Sequence, residues 1–239
     1  MAKINVAING LGRIGRAFVK MAIKNPELNI VAVNDLGDIN NFAYLLKYDS
    51  AYGQSGLVVK VDGTNLVIEG QTIKFLSEKD PANLPWADLK VDVVVESTGI
   101  FDSYTKAKAH LDAGARKVVI SAPVKDEPVS GITSAMVLMG INDDKLATSQ
   151  ISSNASCTTN CVAPIIQIMK ETVGVKKALL NTTHAYTASQ RIVDGPDKKD
   201  WRRGRAGAIN LVPSTTGAAI AVTKVVKNLK GFFDGIAIR

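Results

Sequence analysis

An α/β fold built on a mostly parallel sheet is predicted by three features of the sequence. Short apolar runs that read as buried strands alternate with helical patterns along the chain. The first run, residues 3–9, passes through Gly10-Leu11-Gly12-Arg13-Ile14-Gly15 into a helical stretch, Arg16-Ala17-Phe18-Val19-Lys20-Met21-Ala22. The second run, residues 29–34, ends at Asp35, twenty residues beyond Gly15. Strand, glycines, helix, strand and acid in this order form the dinucleotide-binding arrangement. The glycines allow a tight turn and close approach of backbone to pyrophosphate, the helix N-terminus faces the phosphates, and the acid accepts from ribose hydroxyls. The fold class is therefore α/β, a Rossmann-type doubly wound parallel sheet. Asp35, followed by Leu36 with no Arg beside it, favours NAD over NADP, because a 2′-phosphate would meet a negative charge.

The elements follow in order. Residues 39–48 carry Phe42, Leu45 and Leu46 at helical spacing. Residues 57–75 alternate about Asp62-Gly63, a turn pair, and predict a hairpin. Residues 91–95 predict a third core strand, ending in Glu96-Ser97-Thr98-Gly99; small residues at a strand's C-terminal end suit a ligand crevice. Residues 103–113 predict a helix stopped by Gly114. Residues 117–120 predict a strand leading to Ser121-Ala122-Pro123, and residues 136–139 another.

Beyond Ile151 the composition turns chemical. Cys157 lies among small polar residues, Ser153 to Asn160, just before an apolar helical run that reaches about Val173. At a helix N-terminus the unpaired N–H groups and the dipole favour an anion, so a thiol there ionises more readily and becomes a nucleophile. An inert buried cysteine is the alternative reading. Residues 178–185 predict a strand with His184 at its end. The polar stretch 189–205 follows, with the basic run Lys198-Lys199-Asp200-Trp201-Arg202-Arg203-Gly204-Arg205; it is too long for a plain connection. Ser214-Thr215-Thr216-Gly217 predicts a helix start, continued over 218–226, and residues 231–239 resume strand character.

Composition limits the function classes. The chain has 239 residues, 46% hydrophobic and 21% charged, as in globular proteins. No apolar run approaches a membrane span. The N-terminal residues enter a strand directly, leaving no room for a signal peptide, so a cytoplasmic location is expected. Two cysteines four residues apart fit a reducing compartment and are too few for structural zinc; no metal site is expected. The net charge of +7 is uneven: Lys176 to Arg239 holds twelve Lys+Arg against four Asp+Glu. That excess fits a solvated or interface surface, a phosphorylated substrate, or nucleic acid.

The chain resembles the phosphorylating glyceraldehyde-3-phosphate dehydrogenase family. Ile8-Asn9-Gly10-Leu11-Gly12-Arg13-Ile14-Gly15-Arg16 is similar to the family's opening signature, with Leu11 where Phe is usual. Leu46-Lys47-Tyr48-Asp49-Ser50, Val95-Glu96-Ser97-Thr98-Gly99 and Ser121-Ala122-Pro123 resemble its cofactor domain. Ala155-Ser156-Cys157-Thr158-Thr159-Asn160-Cys161 resembles its active-site signature. Thr182-Thr183-His184-Ala185-Tyr186-Thr187, Val193-Asp194-Gly195-Pro196 and Ser214-Thr215-Thr216-Gly217-Ala218-Ala219 continue the match.

The resemblance implies an NAD-binding Rossmann domain over 1–150 and the N-terminal part of an α+β catalytic domain over 151–239. It implies NAD-dependent oxidation and phosphorylation of glyceraldehyde 3-phosphate through a cysteine thioester. Cys157 is the implied nucleophile and His184 its base. Gly10, Gly12, Arg13, Ile14, Gly15, Asp35, Lys79, Ser97, Thr98, Gly99 and Ser121 are the implied NAD contacts. Ser156, Thr158, Thr216 and Gly217 would bind inorganic phosphate, and Thr187, Arg239 and Arg203 the substrate's phosphate. Cys161 reads as structural. Trp201 and its basic neighbours resemble an interface loop of a homotetramer. A related reading is an erythrose-4-phosphate dehydrogenase; one from another class is a non-catalytic nucleotide- or RNA-binding fragment. Family members continue beyond the position of Arg239, so the expectation is a C-terminally truncated catalytic domain with an open sheet edge, an uncovered apolar face and low turnover.

Overall fold

The first apolar run becomes β1 (Ile4–Asn9), in which Val6, Ala7 and Ile8 are buried in succession, as a strand covered on both faces requires. In this computed structural model, which describes residues 2–198, 200–226 and 229–239, the chain divides into two compact units. The first comprises Met1–Val137 with Asp143–Ala155. After β1 come α1 (Arg13–Ala22), β2 (Leu28–Asn34), α2 (Ile39–Lys47) and a small antiparallel pair, β3 (Tyr48–Asp49) and β4 (Gly53–Gln54). Then follow β5 (Val59–Asp62), β6 (Asn65–Ile68), β7 (Gln71–Leu76), β8 (Val93–Glu96), α3 (Tyr104–Asp112), β9 (Lys117–Ile120), β10 (Ser134–Met136) and β11 (Ile151–Ser153).

Nine of these strands form one sheet in the order β10-β11-β9-β8-β1-β2-β7-β6-β5. Pairing is parallel from β10 to β7, and only β7-β6-β5 is antiparallel. The chain leaves β1 toward β2 and returns to place β8 on the other side. The order therefore reverses between β1 and β8, which is where α/β sheets bind ligands. Val19 and Ala22 of α1 and Leu46 of α2 pack with Ile8, Val33, Leu66 and Ile73 into the core on that side.

Local expectations change in the first unit. The single hairpin expected over 57–75 is a three-stranded meander, because Glu69-Gly70 makes a second turn with both residues at positive φ, 51° and 80°. This is a favoured hairpin geometry, but Glu in place of Asn or Asp hides it. The strand expected at 136–139 forms instead at Ser134–Met136. Ile151–Ser153, too short and polar to show a period, forms a strand that joins the sheet between β10 and β9.

The second unit, Leu138–Asn142 with Ser156–Arg239, contains α4 (Cys157–Thr172), β12 (Ala178–Thr183), β13 (Pro213–Thr215), α5 (Ala218–Val225) and β14 (Phe233–Ile238). Of the expected helix start Ser214-Thr215-Thr216-Gly217, Ser214 and Thr215 instead pair antiparallel with β14, and α5 starts after Gly217. The sheet order is β12-β14-β13, with β12 and β14 parallel. Ala163 and Ile166 of α4, Ala219 and Val222 of α5, and Phe233 and Ala237 of β14 are buried. Ile165, Ile168 and Val173 on α4 and after it, and Leu179 on β12, remain exposed. No helix among the described residues is long and apolar enough to cross a membrane.

Candidate active site

Two sites can be built from the residues upward, one in each unit. In the first, the loops after β1 and β8 meet. Gly10 has φ 94°, and a Cβ there would lie 2.7 Å from Ser97 C and Thr98 N, so only glycine lets the loops touch. A Cβ on Gly15 would meet the Gly10 carbonyl oxygen at 2.0 Å, which is the close helix packing the motif requires. A Cβ on Gly12 would meet no atom within 4 Å; it would project into open space of the kind a pyrophosphate needs. Gly10→Ala is accordingly expected to destabilise the unit by about 2–4 kcal/mol, combining overpacking with backbone strain. An unchanged denaturation midpoint would contradict the close contact.

A cavity of about 340 Å³ opens at this switch point, lined among others by Gly10, Gly12, Asp35, Lys79, Ser97 and Thr98. Asp35 Oδ2 accepts from Leu11 N at 2.7 Å and Oδ1 from Gly37 N at 3.1 Å, which fixes the carboxylate at the end of β2. Each oxygen keeps a lone pair for a ribose hydroxyl. Ser97 Oγ is buried without a hydrogen-bond partner, a gap that a ligand oxygen would fill. The residues present thus fit a dinucleotide. The expected contacts Arg13, Ile14, Gly15, Gly99 and Ser121 do not line this cavity. Arg13 Nη1 instead pairs with Asp49 at 2.9 Å, whose carboxyl is held down to about 2 by the N–H groups of Ala51 and Tyr52 and by Arg13 itself. Asn9, Asn34 and Glu78 also line the cavity, and nothing local in the sequence marks them.

In the second unit, Ser156 is the N-cap of α4, its Oγ accepting from Thr159 N at 3.1 Å. That places Cys157 in the first position of the helix, whose first turn holds no acidic side chain. The thiol is exposed and its Sγ lies 3.5 Å from His184 Nε2. His184 follows β12 and is anchored by its own N–H to Ile238 O at 2.8 Å, so strand register brings it to Arg239 at the end of β14. His184 Nδ1 stands 2.7 Å from Ala185 O, which can only accept; Nδ1 therefore carries the proton and Nε2 presents a lone pair to the thiol. With Nδ1 protonated, the 3.3 Å approach of Arg239 Nη1 to it is a contact between donors and not a hydrogen bond.

Beside this pair lies a cationic subsite. Arg239 Nη1 donates to Thr187 Oγ1 at 3.4 Å, Thr187 Oγ1 meets Ser189 Oγ at 3.0 Å, and Arg203 Nη2 donates to Ser189 Oγ at 3.1 Å. Burial, and then the charge of Arg203, hold Arg239 below its usual range, with Cys157 opposing. An anion bound here would relieve the repulsion between the two guanidinium groups. Ser189 is the linking residue that the sequence did not reveal. Thr158 Oγ1 is 4.0 Å from Sγ. The hydroxyl of Ser156 is engaged in its cap, and Thr216 Oγ1 accepts from Ala218 N at 3.1 Å ahead of α5, with Gly217 as that helix's N-cap.

The long polar stretch folds on itself. Asp194 accepts from Ala206 N and pairs with Arg205, Gly195 N donates to Gly204 O, and Arg202 pairs with Asp200. Arg202 and Arg205 of the basic run are thus paired locally; Lys199 lies outside the described residues. Trp201 is 88% exposed and Ile192 91%.

Comparison with known proteins bears on both sites. Residues 4–104 match the family model described as glyceraldehyde 3-phosphate dehydrogenase, NAD binding domain, and residues 156–239 match the model of the C-terminal domain of the same family. The chain is 49% identical over 237 residues to glyceraldehyde-3-phosphate dehydrogenase 1 of Kluyveromyces lactis, covering 99% of this chain and 70% of that protein. It is 48% identical over 238 residues to glyceraldehyde-3-phosphate dehydrogenase 1 of Bacillus subtilis, covering 99% of this chain and 69% of the relative. The same identity and coverage hold for glyceraldehyde-3-phosphate dehydrogenase of Geobacillus stearothermophilus.

Proposed function

The chain belongs to the glyceraldehyde-3-phosphate dehydrogenase family, and from that premise we propose that it oxidises glyceraldehyde 3-phosphate with NAD and transfers the acyl group to inorganic phosphate, as in glycolysis. The observation that carries this reading is the thiol of Cys157, 3.5 Å from an unprotonated ring nitrogen of His184, beside Arg239 and Thr187. Cys157 Sγ attacks the aldehyde carbon, an S–C bond forms, and His184 Nε2 takes the thiol proton and returns it to the new alkoxide. NAD, when bound, supplies the acceptor for the hydride that leaves that carbon. His184 removes the hydroxyl proton as the thioester forms. A phosphate oxygen then bonds to the carbonyl carbon, the C–S bond breaks, and the Cys157 thiolate is released. Arg239, Thr187 and Arg203 hold the substrate's phosphate; Thr158, Thr216, Gly217 and the N-terminal N–H groups of α4 serve the attacking phosphate, and Ser156 shapes that helix end. Residues 1–150 act as the NAD-binding domain and 151–239 as catalytic domain. We further infer a cytoplasmic homotetramer, a reading supported by the exposed Trp201 and Ile192 on the folded basic loop.

NADH formation tests the substrate. Glyceraldehyde 3-phosphate with phosphate is expected to turn over faster than erythrose 4-phosphate, and the reverse order would assign the other aldehyde. The cofactor preference rests on Asp35, whose charge disfavours a 2′-phosphate. Asp35→Asn keeps the size and removes the charge, so it is expected to tighten NADP binding about tenfold. An unmodified protein that binds NADP as tightly as NAD would contradict this role.

A further inference from the structure

A buried polar chain behind the cofactor cavity takes no part in the reaction described above. His110 and Glu96 are 0% and 2% exposed. Trp86 Nε1 donates to His110 Nδ1 at 3.0 Å, and because an indole N–H can only donate, Nδ1 is unprotonated and the proton is on Nε2. Nε2–H then donates to Glu96 Oε2 at 3.0 Å, where Asn9 Nδ2 also donates at 2.6 Å. Glu96 Oε1 accepts from Thr98 N at 2.7 Å and from Thr98 Oγ1. Asn9 Oδ1 in turn accepts from Asn34 Nδ2 at 2.7 Å, and Asn34 Oδ1 accepts from Glu78 N at 2.8 Å. The Phe101 ring meets the His110 ring edge-on, with centroids 6.3 Å apart. Asn9, Asn34, Glu78, Thr98 and Phe101 all line the cavity.

We propose that His110 and Glu96 are a positioning pair that sets the walls of the dinucleotide cavity without touching the ligand. A buried carboxylate satisfied by four donors from α3, β1 and the loop after β8 holds the ends of β1 and β8 at one separation. His110 is the donor that completes this set, and its own orientation is fixed by Trp86. The proposal rests on the NAD reading of this cavity.

The test compares His110→Leu, which keeps neither hydrogen bond, with His110→Gln, whose amide can donate to Glu96 and whose carbonyl can accept from Trp86. NAD dissociation constants are measured by calorimetric titration on the folded proteins, with thermal midpoints and the iodoacetamide labelling rate of Cys157 alongside. Loss of a donor to a buried charge is expected to weaken NAD binding about tenfold in the Leu variant, with the Gln variant within about threefold of the unmodified chain. Labelling of Cys157 is expected to be unchanged. A lower midpoint with unchanged NAD affinity would mean a purely structural role and would overturn the proposal. Should His110→Leu fail to fold, Glu96→Gln serves instead: equal in size, it replaces one acceptor oxygen by a donor, and the same tenfold loss is expected. Unchanged affinity there would also overturn the proposal. No NAD binding by the unmodified chain would overturn the cofactor reading and the proposal with it, whereas binding that ignores these substitutions overturns the proposal alone.

Discussion

Replacing Cys157 by Ser is expected to lower aldehyde oxidation on the order of 10⁴-fold or more while leaving NAD binding intact. The substitution keeps the shape of the helix start and its Ser156 cap, and changes one atom. A serine hydroxyl is far harder to deprotonate than a thiol, and His184 cannot make up that difference in a single proton transfer. Cys161 supplies an internal control. Both cysteines are exposed and both border the same groove along α4 and β12, so access alone does not distinguish them. What distinguishes them is position: Cys157 opens α4 and faces His184, whereas Cys161 lies one turn further along. Iodoacetamide is therefore expected to label Cys157 well before Cys161. Equal labelling, or oxidation by Cys157→Ser within about tenfold of the unmodified chain, would contradict the assignment.

His184→Asn is the second large effect, a loss of roughly 10²–10⁴-fold in turnover. The shorter amide can still satisfy the Ala185 carbonyl but presents no basic nitrogen to Sγ. Thiol alkylation should slow along with turnover, since both need the proton removed. Arg239 behaves differently: it lies against the far side of the His184 ring and reaches Thr187, so its loss is expected to appear mainly as a raised KM for the phosphorylated aldehyde. Unchanged alkylation in His184→Asn would show that another group takes the proton.

Legibility of these features in the sequence followed the range of the contacts. Gly10, Gly12, Gly15 and Asp35 were legible because the strand–glycine–helix–strand arrangement is local and its spacing is dictated by one ligand. Cys157 was legible because a helix start next to small polar residues is a local signal. His184 could be placed at a strand end, but the 3.5 Å meeting with Cys157 depends on how β12 packs beside α4. Ser189 was illegible because its role depends on Arg203 folding back over the loop. Asn9 and Asn34 read as ordinary strand ends; only the parallel register of β1 and β2, which sets them opposite each other, joins them to the cavity. Arg13 followed the signature, but its charge is taken up by Asp49, 36 residues away. The Glu69-Gly70 turn and β11 are illegible for the opposite reason: their geometry is regular, and their composition carries little signal.

The covalent role of Cys157 is most directly tested by one rapid-mixing measurement. The chain is combined with NAD and glyceraldehyde 3-phosphate in the absence of inorganic phosphate, NADH is followed from the first turnover, and the quenched protein is mapped by mass spectrometry. A thioester that waits for phosphate requires a burst of no more than one NADH per chain, followed by near arrest, with the acyl group on the Cys157 peptide and steady turnover once phosphate is added. Steady turnover at the same rate without phosphate, or an acyl group carried on Cys161, would contradict it.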